Sequence, residues 1–163
     1  MLSGRFDGEE AEYRLREVAA ELERRGIRSY VVTAKGGSQF GDQTNVGLYG
    51  MYVMLAFCYP HYGQKTTSPY CSYIEVKHAI DHHIPIIPIK MYDGDDWPPH
   101  PPDKPGGGCK GAAQNLAAFP PDLVYLDWGP SAKNKDESPK VWSAAACVDE
   151  LMETGQIRPR RAP

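Results

Sequence analysis

Cys71, Glu75, His78 and His82 are spaced four, three and four residues apart, so on an α-helix they would share one stripe. Such a stripe offers three chemistries. A carboxylate can stabilise a developing positive charge or attack a carbon as a nucleophile. A glutamate with histidines a turn apart can ligate zinc, but the order here is not that of a zincin and no further ligand is evident, so no metal site is expected. A cysteine near a helix start can be redox-active, although such a residue more often simply packs. Against all three stands the ordinary fate of a glutamate, a solvated position on a helix face, and histidines near helix ends are equally common.

The helix that would carry this stripe opens at Ser68-Pro69, a serine N-cap followed by proline in the first helical position, and runs to about residue 82. Tyr73, Val76, Ala79 and Ile80 would form its apolar face, apart from the stripe. Around it the pattern alternates. Residues 1–5 (MLSGR) suit the last part of a strand. Residues 9–25 are an amphipathic helix closed by Gly26, and 27–33 (IRSYVVT) a strand. A glycine-rich loop over 34–44 and a short helical piece over 46–51 precede an apolar strand at 52–58 (YVMLAFC). Residues 84–89 (IPIIPI) read as a buried strand, with Pro85 and Pro88 each removing a ladder donor; this is tolerable near a sheet edge or where no neighbour needs the N–H. Residues 92–121 are a proline- and glycine-rich loop, with 112–118 as its one possible helix. A last strand at 123–128 and a last helix at 141–153, opened by Ser138-Pro139, complete the series. Alternating strands and helices imply an α/β domain with a parallel sheet covered on both faces.

Bulk properties narrow the function. A chain of 163 residues with 41% hydrophobic content fits a single domain over residues 1–157, followed by a flexible tail at 158–163. A net charge of −3 leaves no electrostatic footprint for nucleic acid. No apolar run approaches the roughly 20 residues of a membrane span. Four widely spaced cysteines without a signal peptide point to a reducing, cytoplasmic setting.

The segment 75–89 (EVKHAIDHHIPIIPI) resembles the signature of Toll/interleukin receptor (TIR) domains: a glutamate, an alanine-aliphatic pair on the same helix, then an Ile-Ile-Pro-Ile strand. Phe57-Cys58-Tyr59-Pro60 with Tyr62 resembles the family's strand ending in a Ser-Pro-x-Tyr turn. Ser68 and Cys71 resemble the serine and the tryptophan or cysteine that precede the glutamate, and Ser3-Gly4-Arg5 the end of the first strand. The 34–44 loop stands in place of the family's BB loop. The resemblance covers roughly residues 2–91.

It implies a flavodoxin-like sheet of about five strands, self-association through TIR–TIR contacts, and one of two functions. Catalytic members cleave the nicotinamide-ribose bond of NAD, which is a substrate here and requires no cofactor, to nicotinamide and linear or cyclic ADP-ribose. Other members are non-catalytic scaffolds. In the first case Glu75 would be the catalytic carboxylate, stabilising the oxocarbenium-like ribose as a neutral base departs. Ser3, Gly4, Arg5, Gly36, Gly37, Ser68 and Cys71 would bind substrate at the topological switch point, Arg5 holding a phosphate and Phe6 or Tyr62 stacking on a ring. A third reading is another N-glycosidic enzyme of flavodoxin-like topology, such as a nucleoside deoxyribosyltransferase.

Overall fold

The computed structural model of the chain describes residues 1–5, 9–32, 40–102, 108–120 and 122–159. Its elements are β1 (Leu2–Gly4), α1 (Glu9–Arg24), α2 (Phe40–Tyr49), β2 (Met54–Cys58), α3 (Ser72–Asp81), β3 (Ile86–Lys90), α4 (Lys110–Ala118), β4 (Leu126–Asp127) and α5 (Ala144–Glu153). The four strands form one parallel sheet in the order β1-β2-β3-β4, with Leu2 opposite Leu55, Leu55 opposite Ile87 and Ile89 opposite Leu126. The α/β, flavodoxin-like class is the one expected from the sequence.

The pleat sorts the apolar residues into two layers. Leu55 and Phe57 of β2 pack with Leu2, Ile87 and Ile89 against Leu15, Val18 and Leu22 of α1 and Val148 and Leu151 of α5. Met54, Ala56 and Cys58 face the other way, toward Leu48 of α2, Val76 and Ala79 of α3, and Phe119. All five residues of β2 are therefore buried, as a parallel strand covered on both faces requires.

Several elements depart from expectation for identifiable reasons. Residues 27–32 form no strand; one backbone bond, from the Leu2 N–H to the Tyr30 carbonyl (2.9 Å), ties them beside β1, where a second strand of this topology belongs. The Ser29 N–H donates to Glu23 Oε1 (2.5 Å), which ties this stretch back to the end of α1. The loop expected over 34–44 is already helical from Phe40, so α2 is longer than the piece expected at 46–51. The helix carrying Glu75 starts at Ser72 with Cys71 at the N-cap, and Ser68 instead closes a local turn, its Oγ accepting from the Tyr70 N–H (3.2 Å). The last helix is capped by Ser143, whose Oγ accepts from the Ala146 N–H, and α4 adds two residues ahead of the expected 112–118.

The prolines of β3 resolve cleanly. Pro85 precedes the strand, and its carbonyl still accepts from the Met54 N–H (2.9 Å). The Met91 N–H reaches the Cys58 carbonyl and the Trp128 N–H reaches the Lys90 carbonyl, so even-numbered residues of β3 present their polar groups toward β4. Pro88 thus lacks its donor on the β4 side, where pairing begins only at Ile89, and β4 is correspondingly two residues long. No helix among the described residues is long and apolar enough to cross a membrane. The four cysteines are all free.

Gly4 fixes how closely α1 lies on β1, because a Cβ there would stand 2.7 Å from Leu15 Cδ1. Since Leu15 is fully enclosed in the core, Gly4→Ala is expected to cost about 1–3 kcal/mol by overpacking, read from urea unfolding. A loss below about 0.5 kcal/mol would show that α1 has room to yield.

Candidate functional site

The chain crosses from one side of β1 to the other between residues 27–32 and β2, so the switch point of the sheet lies beyond the carboxyl ends of β1 and β2. A cleft of about 220 Å³ opens there, lined by Leu2, Gly4, Arg5, Gln64, Thr66, Ser68, Tyr70, Cys71, Ser72 and Glu75. Glu75 reaches it from the first turn of α3, as part of the helix's buried stripe of Ser72, Glu75, Val76 and Ala79. This differs from the expected partition. Ile80 is exposed and Tyr73 half-buried, while His78 and His82 sit at the helix margin stacked on each other, ring centres 4.2 Å apart. Packing of α3 on β1 and α4 sets its rotation, which the charges on the helix do not reveal.

Glu75 is only 7% exposed. Ser3, pointing to the α3 side because Leu2 and Gly4 face α1, donates its hydroxyl proton to Glu75 Oε2. With that proton committed, the Tyr62 phenol donates to Ser3 Oγ at 2.6 Å, and a three-residue relay runs from the core to the carboxylate. Glu75 Oε1 accepts no hydrogen bond among the described residues, and no Lys, Arg or His side chain among them pairs with the carboxylate. Burial therefore dominates and pushes the Glu75 carboxyl up to about 7, against smaller lowerings from the Ser3 hydrogen bond and from the charge of the Met1 amino group.

The turn that carries Tyr62 is fastened from two helices. The Gly63 N–H donates to Ser72 Oγ (3.0 Å), and Asn115 of α4 donates its amide to the carbonyls of Tyr62 and Pro99, each at 2.8 Å. Gly63 has φ +77°, and a Cβ there would lie 2.2 Å from Asn115 Oδ1, so backbone shape and contact both demand glycine. Tyr62 is wholly buried with Phe119 beside it, ring centres 6.2 Å apart, and it cannot stack on a ligand as position alone implied. Its part is to hold Ser3.

Of the expected site residues, Glu75, Gly4, Arg5, Ser68 and Cys71 line the cleft, and Ser3 binds the carboxylate from beneath. Gly36, Gly37 and Phe6 lie outside the described residues. Gln64 and Asn115 escaped the sequence reading, since an amide in a polar loop or on a short helix carries no spacing signal. Among the described residues no three His, Cys, Asp or Glu side chains are grouped to hold a metal ion. Comparisons with protein-family models, with curated proteins and with solved structures found no match to this chain.

A buried carboxyl raised from its ordinary 4.5 to about 7 keeps its proton more tightly in the folded than in the unfolded chain. Its contribution to stability is complete below pH 4.5 and is lost as pH rises through 7. The loss amounts to about 3 kcal/mol, at 1.36 kcal/mol per unit. The Met1 amino group, lowered to about 6 chiefly by burial, titrates nearby, so the measurement is the difference between wild type and Glu75→Gln in urea unfolding from pH 4 to 8. The variant is expected to gain on the wild type across that range. A constant difference would mean that Glu75 is not held in a water-poor site.

Proposed function

We propose that this chain is a TIR-like domain that cleaves the nicotinamide-ribose bond of NAD, with Glu75 as the carboxylate that stabilises the ribosyl cation. The observation carrying this reading is the enclosed Glu75 carboxylate, with no cationic side chain paired to it and one oxygen unbonded among the described residues, in a cleft at the switch point of a parallel sheet. Residues from three separate stretches of the resemblance, 3–5, 68–71 and 75, meet in that cleft.

The chemistry follows from charge. At rest the carboxyl is balanced between its two forms, because a bare carboxylate in a water-poor cleft is unfavourable. NAD brings a pyridinium cation, and its approach favours the ionised carboxylate by Coulomb attraction in a medium of low effective dielectric. As the glycosidic bond breaks, the positive charge passes from the ring to the ribose, and Glu75 faces charge throughout. Ser3 and Tyr62 hold the carboxylate in place without neutralising it. Nicotinamide departs as a neutral base, so one carboxylate suffices. A neutral nucleoside would lack the cation that turns this carboxyl into a carboxylate, which disfavours the deoxyribosyltransferase reading.

A scaffold reading has one observation of its own. Val46, Tyr49 and Tyr52 stand exposed at the rim of a second, apolar groove of about 820 Å³ at the amino ends of the strands, Tyr49 and Tyr52 by more than nine-tenths. Exposed apolar clusters of this kind favour protein contacts. Under that reading Tyr49→Ser with Tyr52→Ser abolishes self-association in sedimentation and leaves any NAD cleavage by the monomer unchanged.

The deciding experiment is nicotinamide release from NAD by the concentrated domain. Glu75→Ala and Glu75→Gln, verified as folded, are expected to lose release by roughly 100-fold or more. The pH profile of kcat/KM should rise to a plateau with a midpoint near 7, the value of the free site, and that of kcat should turn at lower pH because the bound cation favours the carboxylate. Activity that survives in both variants would remove Glu75 from the chemistry. A folded, self-associated wild type that releases nothing would leave the scaffold reading.

A further inference from the structure

The groove at the amino ends of the strands measures about 820 Å³, within the roughly 300–1,000 Å³ of sites that enclose a small molecule. Leu2, Leu22, Ile27, Leu55 and Ile157 line it, and all five belong to the core that the sheet forms with α1 and α5. Its floor is therefore apolar. The sides are held in place by bonds between separate stretches of chain. The Tyr30 hydroxyl donates to the Gln43 carbonyl of α2 (2.7 Å), and the Tyr30 ring occupies the space that a Cβ on Gly47 would take, 2.6 Å away. The Met1 amino group donates to the Val53 carbonyl (2.9 Å).

The charges beside this floor are of one sign. No Asp or Glu among the described residues lines the groove, and its only ionised side chains are those of Arg28 and Arg158, each exposed and each following a floor residue in the chain. Elsewhere Arg14, Arg16, Arg24 and Arg25 are all paired with carboxylates. Arg28 and Arg158 have no carboxylate partner among the described residues: Arg158 donates to the Gly155 carbonyl (3.2 Å), and Glu23 accepts the Ser29 N–H without an ion pair to Arg28.

An apolar floor with two uncommitted guanidinium groups beside it complements a molecule with an apolar body and one anionic end. A second copy pairing this groove with its own counterpart would bring the same two cations against themselves. An extended peptide would lay backbone N–H and C=O groups on a floor that cannot meet them. An acyl chain carries no polar group along its length and asks only for apolar contact and a cation at one end.

We propose that this groove binds a single-chain carboxylate amphiphile of the fatty-acid class, its acyl chain on the floor of Leu2, Leu55 and Ile157 and its carboxylate at Arg28 and Arg158. The site lies at the opposite end of the sheet from Glu75 and does not depend on the NAD chemistry proposed there.

The test titrates the full chain with decanoate below its micellar concentration, beside decanol and decyltrimethylammonium, which carry the same chain on a neutral and a cationic head, with affinity and location read from NMR shifts. Decanoate is expected to move the resonances of Val46, Val53 and Ile157 and to leave those of Cys71 and Glu75 in place. It should bind at least about fivefold more tightly than decanol, and the ammonium more weakly than either. Added salt should shrink the difference. Arg28→Gln with Arg158→Gln should bring decanoate within about twofold of decanol. Should that variant fail to fold, the comparison of head groups in the wild type decides alone. Equal affinity for the three heads, shifts centred on the Glu75 cleft, or an undiminished preference in the folded double variant overturns the assignment. So does a groove that decanoate leaves unmoved while anionic phosphatidylserine vesicles move it, since the face would then be a membrane contact.

Discussion

Glu75 is a carboxyl group held where water scarcely reaches it, with a serine hydroxyl for a partner and, among the described residues, no cationic side chain paired to it; the half-buried Met1 amino group is the cation that acts on it from a distance. Most of the architecture at the carboxyl end of the sheet can be understood as the means of keeping Glu75 there. The pleat of a three-residue strand turns Ser3 toward α3 while its neighbours Leu2 and Gly4 turn toward α1. Tyr62 saturates Ser3 from below, Ser72 and Asn115 pin the turn that presents Tyr62, and Gly63 gives the backbone the shape those bonds need. A lone charge in such a place is costly, so the site rests near the point where the group can take either form. A ligand that brings positive charge would complement such a group, and the proposed reading of the cleft as a site for a pyridinium nucleotide rests on that complementarity.

The two ends of the sheet offer different surfaces. At the carboxyl ends lies a small polar cleft whose walls come from β1, from the turn after β2 and from the start of α3. At the amino ends lies a broad, mostly apolar groove edged by exposed tyrosines. A catalytic role and an assembly role would therefore use separate faces, and neither needs to displace the other. Residues 27–32, tied to β1 by a single backbone bond, contribute to the groove as well as to the edge of the sheet.

The architecture was legible wherever a local rule leaves a periodic trace. The apolar run 52–58 announced a central strand, realised as the buried residues 54–58, the charged and apolar periods of 9–25 announced α1, and alternation announced a parallel sheet. The failures cluster where tertiary competition decides. Residues 27–32 are tied to β1 by one backbone bond and form no strand despite their β-branched and aromatic content, and helix boundaries at 68 and 138 moved because a Ser-Pro pair is also at home in a turn. Pro88 looked like a flaw in a central strand, and its meaning appears only once pairing with β4 is seen to begin one residue later.

By itself the sequence determined the class of fold, the placement of a carboxylate on the helix ahead of an Ile-Ile-Pro-Ile strand, and the candidacy of residues 3–5, 68 and 71, because periodicity and motif order are local properties of a chain. Only the tertiary structure decided that Glu75 is enclosed and that Ser3 and Tyr62 hold it. Those properties depend on which side of a strand faces which helix and on whether water reaches an atom. Both are set by contacts between residues as much as 72 positions apart, and no local pattern encodes them.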